Sequence, residues 1–127
     1  MFNFFKKKQR PPSWKLIRTF HKRDAYFIRN VEWGWLDQQT IFVKEYQSAK
    51  ITNLKNWDLL VFFHANGEMT TEEFVYRLAE KYENGIPDRF EYSIIKTLSD
   101  LAAAKYIVYD TKKRRPEKEF DEPGFTV

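Results

Sequence analysis

Residues 70–82 read TTEEFVYRLAEKY and carry the clearest local signal in the chain. A threonine followed three residues later by a glutamate predicts a capping box, in which the Thr70 hydroxyl accepts a hydrogen bond from the Glu73 amide and the Glu73 carboxylate accepts one from the Thr70 amide. Apolar side chains then recur at helical spacing, as at Phe74 and Leu78. The stretch therefore predicts an amphipathic helix that ends near the Asn-Gly pair that follows it.

Two further helices are predicted on either side of this one. From Asn53 onward the apolar residues take helical spacing, and Gly67 stands where a glycine commonly ends a helix. The other helix has Asp88 as its expected N-cap and Glu91 three residues later. A short strand, residues 106–109, and a basic loop are expected to follow that helix.

The N-terminal part of the chain has a β pattern instead. Alternation over residues 14–20 predicts a first strand, and the aromatic and β-branched residues of 26–36 predict a second, long one. Residues 40–46 predict a third strand after a polar turn. Consecutive short strands most simply form an antiparallel meander. The predicted fold is therefore α+β, with an N-terminal antiparallel β-meander packed on a C-terminal three-helix unit.

A chain of 127 residues is expected to form one domain, because it is too short for two with proper cores. We expect residues 1–12 to be a flexible basic arm and residues 13–115 to form the domain. Within it, residues 13–46 are the β-rich part and residues 53–115 the helical part. Residues 116–127, rich in proline and acids, are expected to be loosely ordered.

Several function classes are disfavoured by what the sequence lacks. There is no cysteine, which removes thiolate chemistry and suits a cytoplasmic setting, and the two histidines, His21 and His64, are too far apart to predict a metal site. No glycine-rich phosphate loop, HExxH motif or nucleophile elbow is present, so we expect no cofactor and no enzymatic activity. The longest apolar run, residues 59–63, is far short of a membrane span, so no integral membrane association is expected.

Three short helices followed by a strand and a charged hairpin resemble the winged-helix variant of helix-turn-helix proteins. Residues 70–82 match the second helix, residues 88–107, DRFEYSIIKTLSDLAAAKYI, the third, and residues 108–115, VYDTKKRR, the wing. The resemblance implies binding to double-stranded DNA, with the third helix in the major groove and the wing against phosphates. The DNA-contacting residues that it implies are Arg89, Tyr92, Ser93 and Lys96 on the helix and Lys112, Lys113, Arg114 and Arg115 on the wing.

The charge distribution supports this interpretation only in part. Basic residues are concentrated in residues 1–23 and 112–115, where they could neutralise phosphates. The predicted third helix also carries acids, at Asp88, Glu91 and Asp100, which would repel a duplex. A solvated cluster of charges is the alternative for both basic segments.

A second resemblance is to PqqD-like domains, which place a β-hairpin before three helices and grip leader peptides. It is carried by the strands predicted within residues 14–46 and by residues 53–82, NLKNWDLLVFFHANGEMTTEEFVYRLAEKY. This resemblance implies a protein or peptide partner, which could add a strand to an exposed edge of the N-terminal sheet.

The aromatic content supports a protein partner, because aromatic residues make up 18% of the chain and Trp and Tyr are favoured anchors at interfaces. The candidate contact residues are Tyr26, Phe27, Trp33 and Trp35. The alternative is that these rings form the core between the sheet and the helices. The sequence leaves both ligand classes open.

Overall fold

The computed structural model of the protein describes residues 14–45 and 48–124. The basic arm predicted at residues 1–12 lies outside these ranges. The α+β class is confirmed, since the described residues form five helices and two antiparallel three-stranded sheets. In chain order the elements are α1 (Lys15–Thr19), β1 (Tyr26–Arg29), β2 (Trp33–Asp37), β3 (Thr40–Lys44), β4 (Ile51–Leu54), α2 (Asn56–Phe63), β5 (Asn66–Thr70), α3 (Thr71–Ala79), α4 (Phe90–Ala103), β6 (Ile107–Asp110) and α5 (Lys118–Asp121).

The strands of the N-terminal part divide between the two sheets. Strands β2, β3 and β4 form an antiparallel meander, whereas β1 lies between β5 and β6 in the other sheet. The prediction of one long strand over residues 26–36 is therefore wrong. The chain changes partners at the break: the Asn30 amide donates to the Tyr106 carbonyl, and the Glu32 carbonyl accepts from the Lys44 amide.

The strand predicted over residues 14–20 is also wrong, because Lys15–Thr19 is a short helix. Its N-terminal turn is stabilised from far away in the chain: the Ile17 amide donates to the Glu91 carboxylate at 3.2 Å. Ile17 itself is fully buried in the core. The alternating pattern could not reveal this helix, because its capping group lies 74 residues away.

The capping box that opens α3 is confirmed. The Glu73 amide donates to the Thr70 hydroxyl at 3.2 Å, and the Thr70 amide donates to the Glu73 carboxylate at 2.9 Å. Its apolar stripe, with Phe74 and Leu78, is buried as predicted. The helix ends at Ala79, earlier than the Asn-Gly pair.

Two strands flank α2 where the sequence predicted helix or loop. The helix begins at Asn56, because residues from Ile51 to Leu54 pair with β3. Gly67 does not end this helix as predicted but lies inside β5, with a positive φ of 78°. A side chain at Gly67 would collide with the Arg114 carbonyl, so the close approach of two backbones explains the glycine.

The last predicted helix, α4, begins at Phe90, and its N-cap is Arg89 rather than Asp88. The strand that follows, β6, pairs with β1, and residues 111–117 contain no strand. The predicted wing hairpin is therefore not formed: β6 pairs on one side with β1 from the N-terminal part, and the residues after β6 continue as a loop.

One core joins both sheets to the helices. Phe27 of β1 packs edge-on against Phe74 of α3, with the ring centroids 5.1 Å apart. Other fully buried side chains come from both the second sheet and the helices, as with Ile41 and Val43 of β3 and Ile94 of α4. The two sheets are therefore parts of a single packed body.

The acidic C-terminal segment contributes to this body. Residues Lys118–Asp121 form α5, and the Phe120 carbonyl accepts hydrogen bonds from the Arg29 Nε at 3.0 Å and the Trp33 Nε1 at 2.9 Å. The stretch up to Gly124 thus makes hydrogen bonds with buried side chains of the core.

Candidate interaction surface

The residues predicted to contact DNA from the third helix lie on the exposed side of α4. Tyr92, Ser93 and Lys96 line one groove of about 340 Å³ between α4 and the start of α2. Arg89 stacks on the Tyr92 ring, with its guanidinium carbon 4.4 Å from the ring centroid. The structure therefore brings these four side chains to one face.

The groove is balanced in charge. The Lys96 Nζ lies 3.0 Å from the Asp100 carboxylate, and this contact raises the pKa of Lys96. Burial raises the pKa of Asp58, with a further contribution from the nearby Asp100. A phosphate entering the groove would meet two acids beside the lysine, which disfavours a polyanion there.

The basic loop after β6 is partly neutralised by neighbouring carboxylates. The Arg114 Nε lies 2.6 Å from the Asp110 carboxylate, and the Arg115 Nη2 lies 2.6 Å from the Asp121 carboxylate. Lys112 and Lys113 are exposed. The predicted cluster of four cations thus contains two that already make ion pairs within the chain.

The aromatic residues predicted to bind a protein have different environments. Phe27 and Trp33 are 1% and 2% exposed and belong to the core. Tyr26 and Trp35 are half-buried. Trp35 packs against Phe63, whose ring centroid is 5.7 Å away and whose surface is 44% exposed. Only the half-buried members of the predicted set have surface to offer a partner.

The edge of β2 is partly covered. In an antiparallel pair, residues that exchange backbone hydrogen bonds alternate with residues whose backbone groups point away from the partner strand. The Lys44 amide donates to the Glu32 carbonyl at 3.0 Å, so the backbone groups of Trp33, the next residue along, point away from β3. The Trp33 carbonyl accepts from the Gly124 amide at 2.9 Å. The C-terminal segment therefore occupies this part of the edge.

The edge of β4 is open within the described part of the chain. The Glu45 amide donates to the Lys50 carbonyl at 3.0 Å, so the same alternation turns the backbone groups of Ile51 and Asn53 away from β3. Strand β4 is the last strand of its sheet, and no described strand pairs with its outer side. Ile51 is 55% exposed and Asn53 is exposed. Unpaired outward amides and carbonyls of this kind form a template for another strand.

A hydrogen-bond network holds β4 in place. The Glu45 carboxylate accepts from the Thr52 hydroxyl at 2.7 Å and from the Tyr106 hydroxyl at 2.9 Å. These two bonds are the main cause of the lowered pKa of Glu45. Because Tyr106 follows α4, the network fixes the open edge relative to that helix.

Sequence reasoning missed this edge because it assigned residues from Asn53 onward to a helix. The β-branched pair Ile51 and Thr52 was the available signal for a strand. No pattern in the sequence, however, says which strand of a sheet is left at the edge, since that depends on which neighbours are absent.

The described residues contain no group of three or more histidine, cysteine or acidic side chains placed to hold a metal ion. Within the same residues, no helix has the length and apolar character needed to cross a lipid bilayer. Comparison of the chain with protein-family models, with curated proteins and with solved structures found no match.

Proposed function

We propose that the protein is a non-catalytic binding protein that takes an extended segment of another protein as an added strand on the outer edge of β4. The observation that carries the proposal is the pair of outward-pointing backbone positions, Ile51 and Asn53, on an exposed strand. In this mode of recognition the main-chain hydrogen bonds provide affinity, and the side chains of alternate residues provide specificity.

The surroundings of β4 supply the second requirement, which is a surface for side chains. Beyond Leu54, the chain continues through Lys55 and Asn56 into the groove between α2 and α4. A segment that pairs with β4 and continues in this direction meets Trp57 and Tyr92, whose rings can contact apolar side chains. The edge and the groove together form one candidate binding surface.

The edge is also pre-organised, which lowers the entropic cost of binding. The Leu54 side chain is buried, and the Glu45 network ties Thr52 to Tyr106. A partner would therefore add to a strand that already has its bound conformation.

DNA is the second candidate, and it is favoured by the order of the elements and by two exposed lysines. Helices α2, α3 and α4, with β5 after the first and β6 after the last, resemble the winged-helix order. Lys112 and Lys113 on the loop after β6 are exposed and could contact phosphates. The balanced charge of the α4 groove supports the peptide proposal over this one.

The peptide proposal is tested by removing one outward amide. Peptides would be selected from a random library on the wild-type chain and then titrated calorimetrically into the variants Asn53→Pro and Asn53→Thr. Proline is tolerated where an edge-strand amide faces solvent, so the fold should survive, which circular dichroism checks. Asn53→Thr is the matched control, because it changes the same side chain but keeps the amide.

We expect Asn53→Pro to weaken peptide binding at least tenfold, because it removes a backbone donor and places a ring in the path of the partner. Asn53→Thr should bind as the wild type does. Equal affinities for the two variants would refute strand addition at β4.

The DNA candidate is tested with a random duplex at low and moderate salt. If DNA is the ligand, wild-type binding should fall steeply with salt and be lost when Lys112 and Lys113 are changed to glutamate. The Asn53→Pro variant should then bind the duplex normally.

A further inference from the structure

We infer that the segment bound by β4 is acidic, with a carboxylate side chain near each end of the stretch that pairs with the strand. The inference rests on the proposed function, because it specifies the chemistry of the partner at that same edge.

Lysines lie at both ends of the open strand. Lys50 directly precedes β4 and Lys55 directly follows it. Their separation of five residues corresponds to roughly 17 Å along an extended chain. The Lys50 side chain is 71% exposed, and Lys55 is exposed as well. A third exposed lysine, Lys44, faces Ile51 across the β3–β4 pair.

The acids beside these lysines already have other partners. The Glu45 carboxylate lies 3.8 Å from the Lys50 Nζ but accepts its two short hydrogen bonds from Thr52 and Tyr106. The Asp37 carboxylate accepts from the Gln39 amide at 2.7 Å, which is the main reason for the lowered pKa of Asp37; the charge of Lys55 is a smaller one. Both carboxylates remain charged, so the border of β4 carries Lys44, Lys50 and Lys55 against Glu45 and Asp37 and presents one more positive than negative charge to an incoming strand.

The same lysines disfavour a second copy of this chain as the occupant. Two copies paired along β4 would bring the same lysine-bordered strand against itself, and lysines on edge strands act against self-association. An acidic segment instead meets these lysines with opposite charge.

The test uses one selected peptide sequence in three forms, with glutamate, glutamine or lysine at two positions that are five residues apart. Each form is titrated into the full chain at low salt and at high salt. We expect the glutamate form to bind about fivefold tighter than the glutamine form at low salt, from two exposed ion pairs. The lysine form should bind weakest, and the differences should shrink at high salt because exposed charges are screened.

A matched pair of variants assigns the effect to the two lysines. The double variant Lys50→Gln, Lys55→Gln should bind the glutamate and glutamine peptides equally. The control Lys81→Gln, which changes an exposed lysine just after α3, should keep the wild-type preference.

The outcomes separate this inference from the proposed function. If Asn53→Pro abolishes binding of all three peptides but the glutamate and glutamine forms bind wild-type chain equally, strand addition stands and the acidic partner is overturned. If Asn53→Pro changes nothing, the proposed function itself fails. Concentration-dependent dimerisation that Asn53→Pro abolishes would show that a second copy occupies the edge, and this would also overturn the inference.

Discussion

Arg29 joins three separate parts of the chain, and replacing it by methionine tests the fold at its most connected point. The residue is 5% exposed at the end of β1. Its guanidinium donates to the carbonyls of Phe62 and Phe63 at the end of α2, at 3.3 and 2.7 Å, and to those of Phe120 and Asp121, at 3.0 and 2.8 Å.

The expected loss in the free energy of unfolding follows from the groups that the substitution leaves without a partner. Methionine has similar reach but no donor, so the four carbonyls lose their shared partner and the Asp121 carboxylate, 3.6 Å from the Arg29 Nη2, loses a cation. Burial is the main cause of the lowered pKa of Arg29, which shows that part of the gain from these contacts offsets the cost of burying the charge. Leaving a buried polar group without its partner typically costs about 1–3 kcal/mol, and four carbonyls lose this donor while Asp121 keeps its ion pair with Arg115. We therefore expect Arg29→Met to lower the free energy of unfolding by about 4 kcal/mol, which for a domain of this size lowers Tm by roughly 15 °C.

The assay is urea denaturation followed by far-ultraviolet circular dichroism and by tryptophan fluorescence. Trp33 is one of the four tryptophans that contribute to this fluorescence, and the Arg29 guanidinium lies 5.0 Å from its ring centroid. Arg18→Met is the matched control, since Arg18 is exposed and its replacement should change the free energy of unfolding by no more than about 0.5 kcal/mol. A loss below about 1 kcal/mol for Arg29→Met would refute the argument that this guanidinium joins β1, α2 and the C-terminal segment.

Two smaller perturbations test local features of the helices. Lys105 follows α4 with a φ of 68°, and this backbone conformation costs a residue with a side chain about 1 kcal/mol relative to glycine. Lys105→Gly should therefore raise Tm by roughly 4 °C in a thermal melt. The control Lys105→Ala should give no such gain. The pKa of Asp58 is raised by burial and by Asp100, so folding favours its neutral form. Asp58→Asn should accordingly stabilise the protein at neutral pH. The gain should decrease as the pH falls through the pKa of Asp58 in the folded protein and should vanish below its pKa in the unfolded chain. Urea titrations at neutral pH and near pH 3 measure this difference. A gain that persisted at the lower pH would contradict this explanation.

The features that sequence reasoning predicted correctly depend on neighbours within a few residues. The capping box needs only Thr70 and Glu73, and the apolar stripe of α3 follows from helical spacing. The strand β3 was similarly visible from its run of β-branched and aromatic residues. In each case the interactions that decide the structure are local, so a short window of sequence contains them.

The features that were missed depend on residues far away in the chain. Helix α1 is capped by Glu91, and the break between β1 and β2 occurs because β1 pairs with β6 while β2 pairs with β3. Residues around Asn30 contain no signal for either partner. Alternation therefore located the strands of this region only approximately and could not divide them between two sheets.

The candidate site was missed for a related reason. Aromatic content drew attention to Phe27 and Trp33, yet large rings are also what a core requires, and both are buried. The open edge at Ile51 and Asn53 has no distinctive composition. It is defined by the lack of a neighbouring strand on the outer side of β4 among the described residues, which becomes visible only once the order of strands is known.

The position of β1 also bears on the proposed binding surface, in which the open edge and the α4 groove act together. Because β1 pairs with β5 on one side and with β6 on the other, the strand that completes the sheet beside α3 and α4 comes from the N-terminal part of the chain. The same strand leads through the buried Val31 into β2 and the second sheet. A movement of β4 relative to α4 would therefore have to disturb the core shared by both sheets or break the bond between Glu45 and Tyr106. In the proposed mode of binding, the edge of β4 and the adjacent groove contribute jointly to affinity only when their separation is fixed, and the connection through β1 provides that constraint.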